Sequence, residues 1–164
     1  MDLKKELIQL CAHNSLKIPE SAKNSEIDIC THIIKLKAVN INNKTGETAL
    51  LIGAYYNNVT VCKNLIESGA DVNLQSNIGA SPLHLAAQNG HTDVCSILLK
   101  EGATLDLQTK DGWSPLNVAA QKGHTDVGTI LLKAGANVDL PNNITFKEHM
   151  WQCFLLFLAE TTHW

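Results

Sequence analysis

The feature that most constrains this chain is a repeat of 33 residues. Residues 75–107 and 108–140 carry the same residue at 21 of 33 aligned positions, and 42–74 agrees with 75–107 at 9 of 33. One unit of this length cannot bury its own apolar faces, so neighbouring units must cover them. The period therefore predicts a stack of similar units.

Each unit predicts a turn, a helix, a second turn and a second helix. In 108–140, Gly112 stands where a tight turn requires a positive φ. Ser114 follows as the N-cap and Pro115 as the first helical residue. Gly123 then ends the first helix, and the second helix begins at 125–126. A short extended stretch leads into the next turn.

The repeated pattern G-x-[ST]-P-L-H-x-A-A-x-x-G-H, followed by L-L-x-x-G-A, resembles the ankyrin repeat, with Ser81-Pro82-Leu83-His84 nearly at its consensus. The resemblance implies an all-α solenoid of stacked helix-turn-helix units with β-turn or hairpin tips. It divides the chain into a degenerate N-terminal capping repeat (1–41), three ankyrin repeats (42–74, 75–107 and 108–140) and an irregular apolar C-terminal helix or tail (141–164).

Two repeats depart from the pattern. In 42–74, Asn57 and Asn58 replace the Gly-His pair, and we expect the first helix of that repeat to be less well terminated. In 108–140, Asn117 replaces the histidine, which leaves the internal hydrogen-bond pattern of that repeat open.

The C-terminal segment 141–164 breaks the repeat and is rich in aromatic and aliphatic residues. Three interpretations stay open: a capping helix on the third repeat, a chain that is truncated or diverges from a longer array, and a contact for self-association or a membrane surface. Because the segment lacks a basic face, we do not expect a membrane partner.

Composition and charge exclude several classes of function. All 13 basic residues are lysines, they are scattered, and the net charge is −3, so no nucleic-acid partner is expected. The longest apolar run, 150–159, is about half the length of a membrane-spanning helix. The N-terminus does not resemble a signal peptide, which favours the cytosol or the nucleus.

Ser114, His124 and Asp126 could suggest a hydrolytic triad. The same three residue types recur 33 positions earlier, where the repeat needs an N-cap, a turn residue and a helix start. A catalytic site has no reason to recur at a structural period, so we expect no enzyme activity. The spacing of histidines 84, 91 and 124 fits no zinc pattern, and no phosphate-binding loop is present. Neither a metal nor a cofactor is expected.

The cysteines at 30, 62 and 95 occupy one register of successive second helices. Packed helices lie about 8–10 Å apart, whereas a disulfide needs Cα atoms about 4.4–6.8 Å apart. We expect buried, reduced thiols, with redox sensing as the weaker interpretation.

The resemblance implies protein binding on a concave face, made by the turn tips and the first helices, and hence a scaffold or adaptor. The rival interpretation is a structural piece of a longer array whose activity lies in other domains. Carried onto this sequence, the candidate protein-binding residues are Lys44, Thr45, Glu47, Tyr55, Tyr56, Asn77, Ile78, Ala80, Gln88, Asn89, Lys110, Asp111, Trp113, Gln121 and Lys122. Trp113 is the first candidate, because interface hot spots favour tryptophan; alternatively, it covers a neighbouring turn.

Overall fold

The computed structural model describes residues 2–140, within which eight α-helices form four pairs. The helices are α1 (Leu3–His13), α2 (Glu26–Lys35), α3 (Ala49–Tyr55), α4 (Val59–Glu67), α5 (Pro82–Gln88), α6 (Thr92–Lys100), α7 (Pro115–Lys122) and α8 (Thr125–Lys133), with a 3₁₀ turn at Glu20–Ala22. The described residues hold no strand, only an isolated antiparallel bridge between Asn42 and Thr48. The all-α prediction is confirmed. The expectations for 141–164 concern residues outside this range.

The four helix pairs stack in one direction. The two helices of each pair contact one another, first helices contact first helices from α1 to α7, and second helices contact second helices from α2 to α8. Leu50, Leu83 and Leu116 occupy one register of the first helices and are all buried. The apolar core is therefore continuous from one pair to the next, as stacked units require.

The first helices of the three repeats begin at side-chain caps. Thr48, Ser81 and Ser114 each accept a hydrogen bond from the backbone N–H three residues later. In return, His84 Nδ1 accepts from the Ser81 N–H at 3.1 Å, and Asn117 Oδ1 accepts from the Ser114 N–H at 3.1 Å. The predicted cap at Ser114 is confirmed, and asparagine closes the same capping box that histidine closes.

The first helix of 42–74 ends as regularly as its counterpart in 75–107, so the expectation of poor termination was wrong. Asn57 adopts a φ of 56°, close to the 74° of Gly90. Asparagine tolerates this left-handed conformation better than most residues. Asn58 Oδ1 then accepts from the Val61 N–H at 3.0 Å and begins α4.

The tip turns confirm the predicted positive φ at Gly112, with a value of 81°, and Gly46 and Gly79 have the same conformation, with values of 78° and 82°. Two of these glycines also allow the next tip to approach closely. A Cβ atom on Gly79 would lie 2.9 Å from the backbone nitrogen of Lys110, and one on Gly46 would lie 2.7 Å from that of Asn77. Glycine is therefore needed for contact between tips as well as for the turn.

A second row of hydrogen bonds joins the loops that follow the second helices. Asn40 Oδ1 accepts from the Asp71 N–H at 2.9 Å, and Asn73 Oδ1 accepts from the Thr104 N–H at 2.8 Å. Asp106 continues the row toward the next loop. Each such side chain therefore reaches a backbone amide of the following unit.

The four cysteines of the described range are free and buried. Burial raises the pKa of the Cys62 thiol to about 12 and that of Cys30 to about 11. The prediction of buried thiols is confirmed, and their protonated form suits an apolar interior.

Candidate functional site

The three tips form a continuous edge because backbone hydrogen bonds join each tip to the next. The Asn77 N–H donates to the Thr45 carbonyl at 2.9 Å, and the Lys110 N–H donates to the Ile78 carbonyl at 3.0 Å. The tip residues therefore follow one another along this edge in the order of the repeats.

Ten of the fifteen candidate residues are exposed. They lie on the tips and on the C-terminal parts of the first helices, and we name them the tip-and-helix face: Lys44, Thr45, Tyr55, Asn77, Ile78, Gln88, Lys110, Asp111, Gln121 and Lys122. Four others are half-buried: Glu47, Tyr56, Asn89 and Trp113. Whether these residues bind a partner stays a prediction.

Ala80 is the exception among the candidates, because its side chain is buried, with 4% of the residue exposed. Its N–H donates to Ser76 Oγ, and its carbonyl accepts from the Ser76 N–H, which closes the tip turn. The sequence placed Ala80 at the surface, but the methyl group packs inside the tip. It offers no area to a partner, and we remove it from the face.

The peptide groups on either side of Trp113 are held by neighbouring residues. The Trp113 N–H donates to Thr109 Oγ1 at 3.1 Å, and its carbonyl accepts from the Thr109 N–H at 2.9 Å. The same carbonyl lies 2.9 Å from His84 Nε2, on the preceding repeat. The side chain is half-buried, so binding of a partner and cover for a neighbouring turn both stay open for it.

The tautomer of His84 follows from its partners. Because Nδ1 accepts from the Ser81 N–H, the proton of the neutral ring lies on Nε2 and points to the Trp113 carbonyl. Burial lowers the pKa of His84, and the bonds to the Trp113 and Leu107 carbonyls oppose this shift in part. The ring is therefore a neutral structural link.

The two tyrosines at the end of α3 differ in their surroundings. Their rings are 5.0 Å apart at an interplanar angle of 77°, an edge-to-face contact. The Tyr56 hydroxyl donates to Glu6 Oε1 at 3.0 Å and so joins α3 to α1. Tyr55 is 47% exposed and faces solvent. Of the pair, Tyr55 is the side chain available for contact.

The histidines that suggested catalysis connect repeats instead. His91 Nε2 lies 2.9 Å from the Tyr55 carbonyl, and His124 Nε2 lies 3.0 Å from the Gln88 carbonyl. The hydroxyl of Ser114 is buried and donates to Asn117 Oδ1 at 2.8 Å. Sequence reasoning missed the links to Tyr55 and Gln88, although a histidine recurring at the repeat period was the available signal.

The charged groups of the tip-and-helix face are exposed lysines and one exposed aspartate. Lys44, Lys110, Lys122 and Asp111 all face solvent. The neighbouring Glu47 is half-buried, and its Oε2 accepts from Asn43 Nδ2 at 2.9 Å and from Thr45 Oγ1 at 2.7 Å. No group of three or more His, Cys, Asp or Glu residues in 2–140 is placed to hold a metal ion. None of the helices described is long and apolar enough to cross a membrane.

Comparison with known protein families gives a match to a repeat family. A model of ankyrin repeats matches residues 54–142 in three copies, which is more than half of the 164 residues. A search of curated proteins finds no match to this chain.

Proposed function

Because this chain belongs to the ankyrin repeat family, we propose that it is a non-catalytic scaffold or adaptor whose protein partner docks on the tip-and-helix face. Ankyrin repeats are generally protein–protein interaction modules. Partners in this family usually dock on the side formed by the tips and the first helices, which is where the ten residues of this face lie.

The observation that carries the proposal is the exposure of two large apolar side chains on this face. Ile78 is 66% exposed and Tyr55 is 47% exposed. The residues at the position of Ile78 in the other repeats are Thr45 and Asp111, so packing does not dictate an apolar side chain there. Burial of exposed apolar and aromatic side chains is a main source of binding free energy.

A matched pair of double variants tests the proposal. Partners would be collected by proximity labelling with the wild-type chain, and the affinity of each would then be measured for purified variants. We expect Tyr55→Ser with Ile78→Ser to weaken binding about tenfold or more, because one hot-spot side chain contributes about 2 kcal/mol. Trp113→Ala is the third variant, since its half-buried indole is a further candidate contact.

The control is Ile27→Ser with Leu36→Ser. These residues are each 45% exposed and lie in and directly after α2, a second helix, so the control removes two similar apolar side chains elsewhere. The control should bind within about twofold of wild type. Equal losses in the two double variants, or no loss in the first, would contradict the proposal. Urea unfolding of all variants checks that they are folded.

A further inference from the structure

We propose that the partner of the tip-and-helix face is an acidic protein segment in which an apolar side chain lies between carboxylates. This inference rests on the proposed function, because it assigns the chemistry of a partner that docks on that face. It is carried by the charges and by the exposed apolar group along the edge of the tips.

Two exposed lysines occupy the same register of the first and third tips. Lys44 precedes Thr45, and Lys110 precedes Asp111, while Asn77 holds the equivalent position in the middle tip. Asn77 Nδ2 donates to the Lys44 carbonyl at 2.8 Å, which adds to the backbone bonds between these tips. The two ammonium groups therefore belong to the tips on either side of the one that carries Ile78.

Among the described residues, no ion pair involves Lys44, Lys110 or Lys122. Within residues 2–140 the only ion pair joins Lys23 to Glu20, and neither residue belongs to the face. Lys44, Lys110 and Lys122 are exposed, whereas Asp111 is the only exposed acidic residue of the face. Lysines therefore outnumber carboxylates on the face even when the neighbouring Glu47 is included, whereas the chain as a whole carries a net charge of −3. Such a surface attracts carboxylates and steers their approach.

The apolar group lies between the two charges. The side chain of Ile78 is the most exposed large hydrophobic group of the described chain, at 66%. A partner that covers Ile78 with an apolar side chain brings its flanking residues toward Lys44 and Lys110. Carboxylates at those flanking positions can form ion pairs with the two lysines. Such pairs stay near the solvent, so neither charge has to be buried.

Nucleic acid fits this face less well than protein. Lysine lacks the paired donors with which arginine holds phosphate, and the chain contains no arginine. Tyr55 is the only aromatic residue of the ten, and Ile78, on the tip between the two lysines, offers no flat surface on which a base could stack. Binding of single-stranded RNA is therefore an outcome that would count against the proposal.

The experiment selects displayed short random peptides on the immobilised full chain and then measures single synthetic peptides by fluorescence anisotropy. We expect enriched peptides to carry Asp or Glu on both sides of an apolar residue. Their affinity should fall about tenfold for Lys44→Glu with Lys110→Glu, because two exposed attractions become repulsions. Affinity should also fall as salt is raised.

The control variant is Lys63→Glu with Lys100→Glu. Both lysines are exposed on second helices, α4 and α6, so the change in net charge is the same but is placed elsewhere. Binding within about twofold of wild type is expected for this control. Equal losses in the two charge variants would show a general effect of net charge and would overturn the inference.

The remaining outcomes separate this inference from the proposed function. The enriched peptides could bind the double variant Tyr55→Ser with Ile78→Ser less tightly and yet carry no excess of acidic residues. That result would overturn the inference and leave the proposed function standing. Failure to enrich any peptide, or peptides that are indifferent to every variant of the face, counts against both. A single-stranded RNA oligonucleotide that displaces the peptides at equal concentration overturns the assignment of a protein partner.

Discussion

The Nε2 nitrogen of His84 lies 2.9 Å from the carbonyl oxygen of Trp113, so one imidazole joins α5 to the tip of the following repeat. The other ring nitrogen accepts from the Ser81 N–H at 3.1 Å and completes the cap of its own helix. The same side chain therefore starts a helix and fixes the tip that carries Trp113.

His84→Asn should separate these two roles. Asparagine can keep the capping box, as Asn117 does, but is too short to replace the bond to Trp113. We expect a loss of about 1 kcal/mol in the free energy of unfolding in urea, because the part-buried Trp113 carbonyl loses one of its two donors and keeps the Thr109 N–H. His84→Ala removes both roles and should lose more. Equal losses for the two variants would show that the bond to Trp113 contributes nothing.

The buried imidazole also predicts a dependence of stability on pH. Burial lowers the pKa of His84 below its ordinary 6.5, so between the two values the unfolded chain binds more protons than the folded chain. The stability contributed by neutral His84 is thus complete above about pH 6.5 and decreases as the pH falls below it. The difference in unfolding free energy between wild type and His84→Asn should shrink with acidification. A difference that stays constant between neutral and mildly acidic pH contradicts this assignment.

Two glycines with the same backbone conformation should respond differently to alanine. Gly90 and Gly123 have φ values of 74° and 73°, so alanine strains both backbones by about 1–2 kcal/mol. A Cβ atom on Gly90 would lie 2.7 Å from Nδ1 of His124, whereas one on Gly123 would meet no atom of residues 2–140 within 4 Å. We therefore expect Gly90→Ala to lower the unfolding free energy by about 1–3 kcal/mol more than Gly123→Ala does. The thermal midpoint of Gly90→Ala should accordingly be the lower of the two.

The double variant Gly90→Ala with His124→Ala identifies the source of that difference. Removal of the ring relieves the clash, so the two substitutions should be less damaging together than the sum of their separate effects. If their effects add, the imidazole is not what excludes a side chain at position 90.

Asn73→Ala should destabilise the row of hydrogen bonds between loops more than Asn73→Asp does. Asn73 Oδ1 accepts from the Thr104 N–H at 2.8 Å, and Asp106 makes the equivalent bond to the Asn137 N–H at 2.9 Å with a carboxylate. We expect alanine to lower the unfolding free energy by about 1 kcal/mol and aspartate to lower it by less, because aspartate keeps the bond from Thr104 and loses only the 3.4 Å bond from Asn73 Nδ2 to the Gly102 carbonyl. Similar losses of unfolding free energy for the two variants, measured in urea, would show that the bond from the Thr104 N–H contributes little.

The local parts of this fold could be predicted because each is decided within a few residues. Gly112 supplies a positive φ, Ser114 and Pro115 start α7, and α8 begins at Thr125, within the predicted 125–126. The chemistry of a turn or a cap depends on nearby backbone atoms, so a single copy of the repeat already contains it. The exception was Asn57, an asparagine that adopts the left-handed conformation that Gly90 adopts in the next repeat.

The candidate surface was harder to predict because exposure depends on what the neighbouring unit covers. Ala80 and Ile78 lie two residues apart on one tip, yet the first is buried and the second is 66% exposed. Trp113 is half-buried, and Tyr56 is tied to Glu6 on α1. Alignment of the repeats placed these side chains in the right region but could not assign their surroundings.

The sequence by itself determined the period, the helices, the turns and the family of this protein, since these follow from residues close together in the chain. Only the tertiary structure decided that His84 reaches Trp113, that His124 reaches Gln88 and that Ile78 stands open to solvent. Those relations join different repeats and depend on the rise and rotation between stacked units, which no single unit specifies.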